Sequence, residues 1–168
     1  MQLNSERLTY TTFTAKDMAG YARLVMDENV MKYITGLPLT LEESEDIFKK
    51  KILVVNKLHP EAGYFSVKLT EENIFIGLAK LAYVNPQEAE IGYMLLPAFW
   101  GKNYASEMVQ CLINYAVTIQ KIKTLMAIVD PANPASIKVL IKHGFRLYKT
   151  GIIDDLPAEY YRLVLVKQ

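Results

Sequence analysis

An α/β domain with a mixed, mostly antiparallel sheet is the fold class that this chain predicts, and three observations carry the prediction. From Gly63 the period changes to two, and short turns then divide the stretch to Leu96 into three runs, which is the pattern of an antiparallel meander. After Trp100-Gly101 the spacing changes to three and four, the period of an amphipathic helix. That helix leads into a fully apolar run, Leu125 to Val129, so the step from Ala89 to Val129 is strand, helix, strand and calls for a parallel crossover. At 168 residues, 51% of them hydrophobic, the chain has the length and apolar content of a single domain spanning residues 1–168.

Leu8 to Phe13 reads as a first short strand. Two helical stretches follow, Lys16 to Asp27 and Thr40 to about Asn56, the second with Glu42 and Glu43 in its first turn, and the loop Gly36-Leu37-Pro38 lies between them. In the meander, Phe65, Val67 and Leu69 point one way while Tyr64, Ser66 and Lys68 point the other. Glu71-Glu72-Asn73 turns this strand into Ile74 to Tyr83, and Asn85-Pro86-Gln87 turns that into Ala89 to Leu96, which Pro97 stops. The next helix carries the stripe Ala105, Met108, Val109, Leu112, Ala116 and Ile119. Beyond Val129 a further helix has Asn133 as N-cap, Pro134 at its first position and Gly144 past its end. Phe145 to Ile152, a turn at Asp154-Asp155-Leu156-Pro157 and Glu159 to Val166 close the chain as a hairpin. Helices are expected on both faces of the sheet.

Composition narrows the function. Lysine plus arginine (19) nearly balances aspartate plus glutamate (18), so there is no net field of the kind that marks a nucleic-acid binder or a membrane-surface protein. No apolar run reaches the ~20 residues of a membrane helix. The single Cys111 cannot form an intramolecular disulfide and Met1 to Arg7 lacks the pattern of a secretory signal, so a reducing cytoplasm fits. His59 and His143 with one cysteine make no cluster at zinc spacing, and no metal is expected.

Several segments then carry a resemblance. Ala89-Glu90-Ile91-Gly92-Tyr93, followed by Pro97-x-Phe99-Trp100-Gly101-Lys102-Asn103-Tyr104-Ala105, resembles the GNAT superfamily of acetyl-CoA-dependent N-acetyltransferases. The similarity is strongest to the branch that contains the ribosomal-protein N-terminal (Rim-type) enzymes. Asn133-Pro134-Ala135-Ser136 with Lys142-His143-Gly144-Phe145 is similar to that branch's next signature, and Glu6-Arg7-Leu8 and Pro38-Leu39-Thr40-Leu41-Glu42-Glu43 to its opening. The pieces stand in the family's order along nearly the whole chain. The implied fold is the GNAT fold, in which the strand before the turn and the strand after its helix splay apart.

The resemblance implies acetyl-CoA as co-substrate and direct transfer to a primary amine, either a protein N-terminus or a small molecule. A helix beginning near Asn103 aims free amides and ~+0.5 charge of dipole at one point, and in the family an anion, the CoA diphosphate, sits there. The residues that would cradle it are Gly101, Lys102, Asn103, Tyr104, Ala105 and Ser106. Asn103 stands where the family usually has glycine; asparagine tolerates left-handed backbone better than other side chains, though it can crowd the phosphates. Met94, Leu95 and Leu96 are the pantetheine candidates, Asn133 would reach the pantetheine arm, and Lys138 and Lys142 the nucleotide end.

For chemistry, Glu90 is the candidate base, directly or through water, with an ordinary salt bridge as its alternative. Many relatives use a helix tyrosine toward the leaving thiolate, and the matching position here is Leu140, so the role shifts to Ser136, whose alternative is a first-turn serine helping to cap its helix. The backbone N–H near Met94 or Leu95 would polarise the thioester carbonyl, as in relatives. A catalytically inactive acyl-CoA sensor is the competing function, motivated by Asn103 and Leu140. Structural readings are expected elsewhere: Cys111 as a packed thiol, His143 as a last-turn cation, Lys49-Lys50-Lys51 as a solvated face, and Trp100 and Tyr104 as packing for the turn. Glu28, Tyr33, Asp154 and Tyr160 lie in the segments expected to meet the acceptor, whose identity is open. Relatives often dimerise, so a homodimer is an option.

Overall fold

The computed structural model describes residues 2–165. Eight strands form one sheet: β1 (Gln2–Asn4), β2 (Leu8–Thr12), β3 (Gly63–Leu69), β4 (Phe75–Asn85), β5 (Glu88–Leu95), β6 (Thr124–Val129), β7 (Arg146–Ile153) and β8 (Leu156–Val164). Their order is β1-β2-β3-β4-β5-β6-β8-β7. Every neighbouring pair is antiparallel except β5 and β6, which are joined by the expected crossover through α5 (Tyr104–Thr118). The α/β class and the mixed, mostly antiparallel sheet therefore stand as the periodicities predicted.

Helices cover both faces. On one, α5 buries Met108, Val109, Leu112 and Ala116, and α6 (Pro134–Lys142) buries Leu140, against Tyr10, Phe65, Val67, Leu81, Ile91 and Leu95 of the strands. On the other, α1 (Met18–Val25) and the short α2 (Glu28–Met31) bury Tyr21, Leu24, Val25, Val30 and Met31 beside Leu78 and Leu96. Two elements have no sequence signal. β1 is three residues long, too short for alternation to show, and α2 is a single turn whose N-cap, Asp27, had looked like the end of the preceding helix.

The stretch expected as one helix from Thr40 is α3 (Leu41–Ile47), a π-turn at Phe48–Ile52, and α4 (Leu53–Leu58). Thr40 and Glu43 close a capping box at its start, with the Thr40 amide 2.7 Å from Glu43 Oε2. The wider π-turn puts Phe48 and Ile52 into the core together and leaves Lys49-Lys50-Lys51 outside, where Lys49 and Lys50 pair with Glu45 and Asp46 one turn earlier. At the far end Asn56 bonds both the N–H (2.7 Å) and the C=O (2.9 Å) of Tyr64, so its side-chain amide continues the ladder where β2 stops. In the last hairpin Asp154 and Asp155 alone form the turn, both left-handed; Leu156 and Pro157, expected in the turn, already belong to β8. Val166, the end of the predicted last strand, lies outside the described residues. No helix among the described residues is long and apolar enough to cross a membrane.

Candidate active site

The site begins where the two parallel strands part. β5 and β6 pair only at Glu88↔Thr124, Ala89↔Leu125 and Glu90↔Met126, yet β5 runs on to Leu95 and β6 to Val129. Each keeps its outer ladder, β5 with β4 and β6 with β8, so the sheet forks beyond Glu90 without losing either half. The Leu96 amide donates to the Ile76 carbonyl at 2.9 Å. By strand alternation Met94 also bonds toward β4, whereas Tyr93 and Leu95 turn their backbone groups into the fork. The Leu95 carbonyl accepts the Trp100 indole N–H at 2.8 Å, which leaves the Leu95 N–H as the donor aimed at the gap. Of the three predicted pantetheine contacts, Leu95 is the one whose amide meets that gap. Leu96 has given its amide to β4, and its side chain is in the core beside that of Met94.

At the mouth of α5 the backbone is left-handed twice, at Gly101 (φ 73°) and at Asn103 (φ 65°, ψ 11°). Asparagine thus adopts the conformation for which the family uses glycine, and its side chain makes no cap bond. Among the described residues, no backbone or side-chain acceptor receives a hydrogen bond from the amides of Gly101, Lys102, Asn103, Tyr104, Ala105 or Ser106. The turn is held from outside by Arg7, which donates from Nη1 to the Lys102 carbonyl (3.1 Å), pairs with Glu107 (2.8 Å) and lies over the Tyr104 ring at 4.4 Å. Glu107 accepts as well from the Arg7 amide and the Ser5 hydroxyl, both at 2.7 Å. Burial pushes its carboxyl up, but these donors and the guanidinium outweigh burial and hold it below the usual carboxylate range.

Ser106 is buried in the first turn of α5, and its hydroxyl meets Lys142 Nζ (3.0 Å) and His143 Nε2 (2.8 Å) from the end of α6. Lys142 thereby stands at this mouth, whereas Lys138 is exposed farther up α6. The expectation of a charged last-turn His143 is corrected: burial, then the neighbouring Lys142 charge, lower its pKa and favour the neutral ring, which bonds Ser106 and Gln110.

The mouth of α6 is closed by its own residue. Asn133 Oδ1 accepts the Ser136 amide at 3.1 Å and keeps its Nδ2 available. The Ser136 hydroxyl is 2.7 Å from Tyr93 Oη, across from β5. Leu140, one turn on, is 1% exposed and lies in the core.

On the opposite face of the sheet Glu90 sits at the point of the fork, ion-paired with Lys80. Lys80 reaches it over Gly92, where a Cβ would stand 3.1 Å from Lys80 Cε. The Tyr64 phenol is raised by burial and then by the Glu90 charge. Cys111 is buried and its thiol is raised by burial, as a packed thiol requires. Trp100 and Tyr104 brace the turn as expected. Sequence reading flagged Glu6-Arg7-Leu8 without its partner, and it missed Lys80 and the facing of Tyr93 on Ser136.

Comparison with known proteins decides the family. The model of the acetyltransferase (GNAT) domain matches residues 7–146. This chain belongs to the GNAT family. An uncharacterized N-acetyltransferase, p20, of Bacillus licheniformis is 33% identical, with 96% of this chain and 90% of that one covered. Among solved structures, a GNAT-family acetyltransferase from Bacillus anthracis superimposes with a TM-score of 0.83 at 27% identity over 98% of each chain. RimL, a ribosomal L7/L12 α-N-protein acetyltransferase in complex with coenzyme A, reaches the same TM-score, 0.83, at 16% identity over 98% of each chain, a likeness of fold. The chain is thus a GNAT N-acetyltransferase, the forked sheet is the GNAT fold, and homologues in the family bind CoA or acetyl-CoA.

Proposed function

We propose that this N-acetyltransferase, acting as one domain of residues 1–168, moves the acetyl group of acetyl-CoA directly onto a primary amine in a ternary complex. The amine belongs to a protein N-terminus or a small molecule. The observation that carries the reading is the fork itself: an open helix mouth at one end, the β5 amides of Tyr93 and Leu95 turned into the gap, and different chemistry on its two faces. The diphosphate is held by the amides from Gly101 to Ser106, with Lys102, Lys142 and Lys138 adding charge. Pantetheine runs past Met94, Leu95 and Leu96 toward Asn133 Nδ2, pairing with the backbone that Tyr93 and Leu95 turn into the fork, as an added strand does. The Leu95 N–H polarises the thioester carbonyl.

In the chemical step the amine nitrogen bonds the acetyl carbon, the C–S bond breaks with its electron pair left on sulfur, and the nitrogen sheds a proton. Glu90 takes that proton, directly or through water, on the α1–α4 face; the Ser136 hydroxyl donates a hydrogen bond to the sulfur on the α6 face. Glu90 shares its carboxylate with Lys80. An α-amine of pKa ~7.7 is neutral in appreciable fraction near pH 7 and needs a base less than a lysine side chain of ~10.4 does. That physical argument favours α-amino acceptors in the Rim-type manner; RimL, at 16% identity, lends only the fold.

A panel of peptides, amino acids and polyamines with acetyl-CoA, followed by free thiol release, tests the reading. The expected result is amine-dependent release, reduced about 100-fold in kcat by Ser136→Ala. Calorimetry that detects no uptake of CoA or acetyl-CoA overturns it.

A further inference from the structure

We propose that Tyr93 acts through Ser136: its phenol donates to the serine oxygen, turns the serine's own proton into the fork and strengthens it as a donor to the CoA sulfur. This rests on the function proposed above and adds to it a positioning residue that has no place in that mechanism.

The geometry is specific. Tyr93 projects from β5 on the α6 face, and its Oη lies 2.7 Å from Ser136 Oγ, a contact across which either hydroxyl can donate; the phenol's other acceptor, the Ser136 carbonyl, is farther off at 3.3 Å, so the shorter contact is the one assigned its proton. A hydroxyl that accepts one hydrogen bond keeps a single proton to give, and chains of hydroxyls polarise one another in a site shielded from water. Ser136 is fixed on its other side, because the Asn133 carboxamide grips its backbone amide. Burial raises the Tyr93 phenol to about 12, so the ring carries its proton under ordinary conditions and has one to donate. Leu140, one turn beyond Ser136, has no proton to offer, and Tyr93 brings a hydroxyl to the same helix from the facing strand. No covalent change is asked of either residue: both end the reaction as they began it, and the sulfur leaves as a thiolate that solvent protonates.

The test needs no knowledge of the acceptor. CoA is bound to the purified protein, and the thiolate fraction is read by its ultraviolet absorbance at a pH near the ordinary thiol range of ~8.5. Tyr93→Phe keeps the ring and removes the donor. It is expected to lower the ratio of bound thiolate to thiol by about threefold to tenfold, to leave the affinity for desulfo-CoA unchanged, and to have no further effect in a Ser136→Ala background. An unchanged thiolate ratio in Tyr93→Phe overturns the proposal. So does an equal loss of affinity for CoA and desulfo-CoA, which marks a packing role, or a full effect in the absence of the serine hydroxyl, which marks direct contact with sulfur. Failure of the unaltered protein to bind CoA at all is a different result and overturns the function proposed above.

Discussion

Two asparagines open two helices of this protein and do opposite things. Asn133 begins α6 at φ −106° and folds its carboxamide onto the Ser136 amide, closing that helix mouth with its own side chain. Asn103 begins α5 at φ 65°, makes no cap bond, and leaves the first-turn amides facing outward. The difference teaches that an uncapped helix start is stable when something else holds the turn. Here Arg7 and Ser5 of the N-terminal segment brace it through Glu107 of α5, and the amides are left without protein acceptors among the described residues. The closed mouth fixes the backbone of Ser136, the residue proposed above to meet the sulfur.

The largest effect that would break the comparison comes from Asn103→Val. A β-branched residue resists left-handed backbone, at a cost of at least ~1–2 kcal/mol; CoA affinity by calorimetry is expected to fall more than about tenfold, while Asn103→Gly keeps it. Equal binding by Asn103→Val would mean that the left-handed turn is irrelevant to the ligand.

Glu107→Gln comes next, because it weakens the outside brace: about 1–2 kcal/mol of stability, roughly 3–6 °C in melting temperature, is expected to go. The sign with pH follows from the lowered carboxyl. A depressed folded pKa contributes stability that is complete above the unfolded value of ~4.3 and is lost as pH falls through the folded one. The gap in melting temperature between the two proteins is therefore widest near neutrality and closes below about pH 4; a gap that grows on acidification contradicts the role given to Glu107.

Asn133→Ala removes the side-chain cap and is expected to cost about 1 kcal/mol, seen in urea unfolding, without loosening the α5 mouth. The smallest effect sharpens the contrast from the other side. Ser66 is a buried hydroxyl with no hydrogen-bond partner among the described residues. Ser66→Ala is expected to leave stability within about 0.5 kcal/mol or to raise it, unlike removal of the hydroxyl of Ser136, which has a partner in Tyr93.

Much of this was legible before any fold was known. The three- and four-residue spacing of α5, the alternation of β3, the helix start at Thr40, the Asn133 cap and the left-handed tolerance of Asn103 are properties of a residue and its immediate neighbours, so they show in a linear string. The Gly101 to Ser106 cradle and Ser136 came with the family resemblance. The bracing of the α5 mouth did not show, since Arg7 and Glu107 are 100 residues apart, nor did the facing of Tyr93 on Ser136, 43 residues apart. β1 and α2 stayed hidden for a different reason: elements of three or four residues are too short to carry a period.

By itself the sequence determined the longer strands and helices, the tolerance of Asn103 for left-handed backbone and which residue types chemistry could use, because short-range sterics and hydrogen bonds settle those choices locally. Only the tertiary structure decided which of those residues meet. Strand order laid β5 beside β6 for three pairs and then let them part, setting Glu90 with Lys80 on one face of the gap and Ser136 with Tyr93 on the other. Contacts between residues distant in the chain exist only once the sheet has brought their strands and helices together.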